Sequence, residues 1–299
     1  MLVFYTNGMC TEALFFYTMS IIVRQLKYLI VFLMKEREKM EKRKFAPGLV
    51  LFIIMFLIST VGLTLLGEGN FALPGMIARY VIGTVSVVFM ANIYGVEFKI
   101  KGFFKGLFSV IGLVGVACCI HNLLAMRIPT DIGFKEGLPN AIFMFLLMMS
   151  VGVFEEAIYR GVLFNTLRNC LGESKGRIIL AVILSAIPFG LTHFLNLIFY
   201  PNLVVWITSQ VVYATAGGVL FACIYYITDN FWLVVVLHGL YDYLASIWSC
   251  FVSQAEGIGI PAVDSTIMQG IKDAIPDCIF GLIAFIVLLV VLNKREKDS

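Results

Sequence analysis

From Pro47 almost to the C-terminus the chain is a succession of apolar runs of about 20 residues, each long enough to cross a hydrocarbon core of about 30 Å as a helix. Backbone polar groups cannot find water inside a bilayer, so each such run must bond to itself as a helix. Composition agrees, with 60% apolar and 14% charged residues, against about 50% and 25% in a soluble domain. A soluble globular fold is excluded. The expected class is an all-α, polytopic membrane protein embedded in a lipid bilayer, with about eight transmembrane helices. The spans read as Pro47 to Leu66, Ala72 to Tyr94, Phe103 to Met126, Leu138 to about Arg160, Arg177 to Tyr200, Leu203 to Thr228, Phe231 to Cys250 and Ile275 to Asn293.

Lysine and arginine are unevenly shared between alternate connections. One set holds the clusters from Lys35 to Lys44, Lys99 to Lys105, Arg160 to Arg177 and Lys294 to Lys297; the other holds only Arg127, Lys135 and Lys272. By the positive-inside rule both ends of the eight-helix block are expected in the cytoplasm. The net charge of +3 thus reports topology, and nothing interleaves basic and aromatic residues as a nucleic-acid surface does. No nucleic-acid partner is expected. The seven cysteines, Cys10, Cys118, Cys119, Cys170, Cys223, Cys250 and Cys278, form no CxxC pair, so they imply packing and neither a disulfide framework nor a zinc knuckle.

The N-terminal segment reads differently. The stretch Leu14 to Leu33 is interrupted by Arg24 and Lys27, and charge at a helix centre is costly. It has no basic n-region or small-residue cleavage site, which argues against a signal peptide. An interfacial helix, a poor ninth span or an untranslated upstream extension (Met34 or Met40 could open the chain) are the alternatives, with the extension or interfacial helix favoured. Residues 1–46 are expected as an N-terminal extension with a basic cytoplasmic segment, and residues 47–299 as one membrane domain without repeats.

Ionisable residues within spans are functional candidates, because their desolvation has to be offset by a partner, water or a ligand. The main ones are Arg79, His121, Glu155, Glu156, Arg160, His193, His238 and Asp242. Arg79 and His121 have no partner in sequence and read as structural. The others fall in three short patterns.

In Phe154-Glu155-Glu156-Ala157-Ile158-Tyr159-Arg160 the residues Glu156 and Arg160 are four apart and share a helical face. Arg160 can neutralise Glu156 and leave Glu155, pointing elsewhere, free for chemistry. The alternative is a Glu/Arg pair snorkelling at the cytoplasmic boundary. In Phe189-Gly190-Leu191-Thr192-His193 the aromatic ring and the imidazole share a face, and Pro188 tends to kink the helix and free a carbonyl beside His193. A lone buried histidine is otherwise more often a satisfied core residue. In His238-Gly239-Leu240-Tyr241-Asp242 the carboxylate can orient the imidazole, hold it protonated or join it on a metal; the alternative is an interhelical hydrogen-bonding pair. The inventory suits activation of water and stabilisation of an oxyanion. No HExxH is present, and a metal site would need His193 and His238 with carboxylates from separate helices.

Together EEAIYR (155–160), FGLTH (189–193) and HGLYD (238–242) resemble the CPBP, or Abi, family of intramembrane proteases, which includes the type II CAAX prenyl endopeptidases. The resemblance covers roughly Leu138 to Trp248. It implies Glu155 as the general base that activates water, His193 assisting it, and His238 with Asp242 stabilising the tetrahedral oxyanion. Glu156 and Arg160, with Phe189, would hold the site in shape. The family has been described both as metalloproteases and as metal-independent glutamate proteases, so zinc or another divalent ion, on His193 and His238, is a possible cofactor. One departure stands out: the last motif commonly ends in Asn and here ends in Asp242. An ionised Asp cannot donate to an oxyanion, so Asp242 is either protonated, an orienter of His238 or a metal ligand.

The expected function is an intramembrane endopeptidase of a bacterial cell membrane, cutting a membrane-associated peptide or protein near the cytoplasmic face. A bacteriocin self-immunity or membrane scaffold protein without essential catalysis is the alternative from another class. A proton-coupled transporter ranks lowest, because no inverted repeat or matched pair of broken helices is evident. For a bacterial host, a leader peptide, pheromone or lipoprotein fragment suits the substrate better than a prenylated CAAX protein.

Overall fold

The computed structural model describes residues 42–57, 72–253 and 263–298. Among them every regular element is helical: α1 (Lys42–Leu57), α2 (Ala72–Tyr94), α3 (Phe103–Leu107), α4 (Val110–Ala125), α5 (Phe134–Glu156), α6 (Asn165–Leu171), α7 (Lys175–Thr192), α8 (Val204–Thr228), α9 (Phe231–Ser246) and α10 (Ile267–Asp298). A π-helical stretch, Ala157–Phe164, joins α5 to α6, and 3-10 turns follow α7 (His193–Ile198) and α9 (Ile247–Phe251).

Six helical segments among the described residues are long and apolar enough to cross a membrane: Leu73–Asn92, Phe134–Leu171, Lys175–Ile198, Val204–Thr228, Phe231–Phe251 and Ile267–Asp298. The chain is an integral membrane protein by these segments. Their outward faces are apolar. On α2, Leu73, Ile77, Val81 and Val85 repeat every four residues and are all exposed, the stripe expected of a lipid-facing helix.

Three expected spans differ. The expected Phe103 to Met126 span is two pieces. Ser109 separates them, its hydroxyl donating to the Gly106 carbonyl at 2.6 Å and accepting from the Gly112 amide at 3.2 Å. That cap ends α3 and starts α4, leaving a 16-residue helix of roughly 24 Å. The span expected to stop near Arg160 instead runs unbroken from Phe134 to Leu171, 38 residues, and ends where Gly172 takes φ 96°. The helix can pass through Glu155, Glu156 and Arg160 because they find partners inside the protein. The last helix starts earlier than expected, at Ile267. Residues 58–66 of the first expected span and the Leu14 to Leu33 stretch lie outside the described residues.

α8 packs against both α7 and α10, and α5 lies against α2 and α9. The α5/α9 crossing sets the position of everything below. A Cβ on Gly152 would lie 2.7 Å from the Val235 carbonyl oxygen and 2.8 Å from the Gly239 amide nitrogen, and one on Gly239 would lie 3.1 Å from Met149 Cα. Two glycines facing each other let the backbones touch, as small residues do at membrane helix crossings. That contact lies one turn before Glu155 and Glu156 on α5 and beside His238 on α9.

Candidate active site

Glu155 and Glu156 are consecutive, and both reach the same imidazole. His238 Nδ1 lies 2.7 Å from Glu156 Oε1, while Nε2 lies 3.6 Å from Glu155 Oε2 and 3.5 Å from Asp242 Oδ2. The first distance is a charge-assisted hydrogen bond, so the proton on Nδ1 is donated to Glu156. The two at Nε2 exceed hydrogen-bond length. Nε2 therefore stands between two carboxylates with its hydrogen-bonding capacity unspent. Glu155 does not point away from the other polar residues; it faces them through His238.

Glu156 and Arg160, expected on one face, form an ion pair of 2.9 Å, and both side chains are sealed from solvent. The second Arg160 terminal nitrogen donates to the Gly218 carbonyl at 2.9 Å. The guanidinium sits 4.8 Å from the centre of the Phe189 ring and 5.6 Å from that of Phe221, geometry that supports cation–π attraction in a dry setting. Snorkelling at a membrane boundary is thus overturned: Arg160 is 1% exposed, in the middle of the Phe134–Leu171 segment. The π stretch begins immediately after Glu156. Such slips from i−4 to i−5 bonding are most frequent at functional sites.

Phe221 stacks on His238 at 4.9 Å with an interplanar angle of 17°, and Phe189 meets the same imidazole edge-on at 5.7 Å. The aromatic walls and the Glu156 bond together fix the ring. Phe189 also touches His193 and Tyr159, at 5.6 and 5.0 Å, so it is the shared neighbour of all three motifs.

His193 stands where α7 tightens into the 3-10 turn. Its own amide bonds to the Gly190 and Leu191 carbonyls, leaving the Phe189 carbonyl open. That carbonyl accepts the Thr192 hydroxyl at 2.6 Å and His193 Nδ1–H at 3.1 Å. The free carbonyl thus comes from the end of the helix; α7 runs on through Pro188 to Thr192. With Nδ1 donating, Nε2 of His193 carries the lone pair. Tyr159 donates to the Thr192 hydroxyl at 3.2 Å, tying the first motif to the second.

A cavity of about 450 Å³ opens beside these residues, lined by His193, His238, Asp242 and Phe189, among others. Glu155 is not part of that lining; it joins the site at His238 Nε2, with its side chain 25% exposed. Among the described residues no group of three or more His, Cys, Asp or Glu side chains is arranged to hold a metal ion. His193 and His238 each meet the Phe189 ring edge-on, at 5.6 and 5.7 Å.

Phe221, Gly218, Tyr241 and Asp277 were not among the sequence candidates. Asp277 lies inside the expected Ile275 to Asn293 span and carries the same signal as the eight residues singled out, an ionisable group in an apolar run. Phe221 and Gly218 carry no such signal.

Residues 137–244 match the family described as type II CAAX prenyl endopeptidase Rce1-like. This stretch, roughly a third of the chain, contains all three motifs, and the resemblance to CPBP and CAAX-type proteases is shown over it. No curated protein and no solved structure matches the chain.

Proposed function

We propose that the protein hydrolyses a peptide bond of a membrane-associated peptide or protein, with Glu155 as general base. The observation that carries this reading is the convergence of Glu155 and Asp242 on one nitrogen of a histidine whose other nitrogen is held by the Glu156–Arg160 pair. Glu155 takes a proton from water as the water oxygen bonds to the scissile carbonyl carbon. His238, fixed at Nδ1, offers a hydrogen at Nε2 to the oxygen that becomes negative. The carbon–nitrogen bond then breaks, and the proton held by Glu155 passes to the departing amine. His193, which lines the cavity, assists by orienting water or by passing that proton on. Asp242 flanks the same nitrogen of His238 at 3.5 Å.

The distribution of lysine and arginine supports a site near the cytoplasmic face, in an eight-span domain over residues 47–299 with both ends cytoplasmic. A bacterial cell membrane and a peptide substrate such as a leader or pheromone suit this reading.

The test compares peptide N- and C-termini in membranes of cells expressing wild type or Glu155→Ala at equal levels. Loss of a defined set of termini in the variant is expected. Identical profiles in cells containing a substrate that the wild type cuts in vitro would remove Glu155 from the chemistry.

A further inference from the structure

The cavity beside His238 extends to α10, where its lining carries Asp273 and Asp277 in addition to Asp242; among the described residues the lining includes His193 and His238 but neither lysine nor arginine. Asp242 has His238 beside it at 3.5 Å, but Asp273 and Asp277 form no ion pair among the described residues, and carboxylates around an intramembrane cavity need compensation. Asp277 is 8% exposed, and its partners are neutral: the Tyr241 hydroxyl donates to Oδ1 at 2.9 Å and the Cys118 thiol to the same oxygen at 3.6 Å. Oδ2 takes no hydrogen bond from the described residues, yet it is not among the side-chain atoms sealed away without a partner. His121 is near enough to interact electrostatically with Asp277 but forms no ion pair with it. Asp273 lies one turn earlier on the same helix and bonds to Gln269 at 2.7 Å. Like charges at this spacing repel.

The rest of this arm is aromatic. Trp206, Tyr213 and Tyr241 contribute to the lining. Carboxylates combined with aromatic faces form the environment that organic cations seek. Neither acid is used by the hydrolytic steps above.

We infer that the arm of the cavity between α8, α9 and α10 is a cation subsite, in which Asp277 and Asp273 bind a basic group of the substrate peptide. The group is an ammonium or guanidinium, supplied by a lysine or arginine side chain or by a free amino terminus. Asp242 belongs both to this lining and to the surroundings of His238 Nε2, so the subsite and the hydrolytic histidine share one cavity. The subsite rests on the proteolytic reading only for the identity of its ligand as a peptide.

The test measures equilibrium binding to the full chain in nanodiscs, with mass spectrometry confirming that the peptides remain intact. The probes are acetyl-Leu-Lys-Leu-amide, its norleucine counterpart, and unblocked Leu-norleucine-Leu-amide, whose one cation is its amino terminus. At least one cationic probe should bind about tenfold tighter than the blocked norleucine peptide, and which one does so identifies the source of the cation. Asp277→Asn, which keeps an acceptor for Tyr241 and Cys118, should lose the preference; Asp273→Asn serves if that variant does not fold. Equal binding of all three probes to the wild type would overturn the subsite, as would a preference that survives in a folded Asp277→Asn, Asp273→Asn double variant. Charge preference without any Glu155-dependent cleavage would leave the subsite standing and remove the protease reading. Glu155-dependent cleavage indifferent to charge would do the reverse.

Discussion

His238 Nδ1 lies 2.7 Å from Glu156 Oε1, and the same oxygen takes the 2.9 Å bond from Arg160. One carboxylate oxygen thus fixes both the imidazole and the guanidinium. Glu156 is fully buried, so neutralising it leaves the buried Arg160 without its ion-pair partner. Glu156→Gln should destabilise the folded protein by about 3–5 kcal/mol, the cost of breaking one side of a buried pair. The double variant Glu156→Gln, Arg160→Met should recover much of that loss. Thermal unfolding in detergent reads both, and an unchanged midpoint in the single variant would contradict the assignment of Glu156 as the anchor.

Glu155 differs from its neighbour in burial and in the closeness of its partner. Its side chain is 25% exposed, and its nearest partner is His238 Nε2 at 3.6 Å. Glu155→Gln should therefore leave the unfolding midpoint nearly unchanged while cleavage falls roughly a hundredfold to ten-thousandfold, the range for loss of a positioned general base. Comparable losses of stability in Glu155→Gln and Glu156→Gln would mean that the two carboxylates share one structural task.

Asp242 occupies the position where the resembling family commonly has Asn. Its Oδ2 stands 3.5 Å from His238 Nε2, beyond hydrogen-bond length. An amide there gains a donor that can reach a developing oxyanion. Cleavage by Asp242→Asn should equal or exceed that of the wild type, and Asp242→Leu should lose about tenfold or more. Initial rates on one peptide substrate decide this. A tenfold loss in the Asn variant would show that the negative charge is what the site requires at this position.

The helical spacings within each motif are legible in the chain, because i and i+4 neighbours share a face in any α-helix. The Glu156–Arg160 pair follows from that rule alone. What local spacing does not contain is how helices meet. That Glu156 holds one nitrogen of an imidazole whose other nitrogen faces Glu155 depends on the Gly152 and Gly239 crossing, which lies between segments more than 80 residues apart. The π stretch after Glu156 belongs to the same class, since its bonding pattern follows from packing. Phe221, stacked on His238, looks in sequence like any other apolar residue of its span. Asp277 is a different case: it is an acid in an apolar run, and the desolvation argument applied to His238 applies equally to it.

Gly152 and Gly239 should respond unequally to alanine. A Cβ at Gly152 would meet only backbone atoms, at 2.7, 2.8 and 3.2 Å, and neither helix can yield without moving the other. At Gly239 the nearest atom is the Met149 sulfur, 2.5 Å away, which can swing aside on a flexible side chain. Gly152→Ala should cost about 1–3 kcal/mol, the usual range for overpacking, and should also lower cleavage by displacing Glu155 from His238. Gly239→Ala should cost less. Paired unfolding and rate measurements check the ranking; the reverse order would mean that Met149 is held more tightly than α5 itself.

Asp264 lies outside the spans and acts at the start of α8, where Leu203 has no side-chain cap to offer. Its carboxylate accepts the amides of Val205 and Trp206, each at 3.0 Å, and that of Ser265 at 2.8 Å. Desolvation opposes the charge, but these amide bonds outweigh it and hold the carboxyl below the usual aspartate range. A carboxyl with a depressed folded-state pKa contributes stability that is complete above its unfolded value, about 3.9, and that is lost as pH falls through the folded value. The wild type should therefore unfold at a higher temperature than Asp264→Ala at pH 7, with the gap narrowing only below about pH 4. The amides also place the negative charge at the positive end of the α8 dipole, so Asp264→Asn should recover part of the loss at neutral pH. Midpoints measured from pH 7 to pH 3 for the three proteins test this, and a gap that is already zero at pH 7 would mean that α8 starts without help from Asp264.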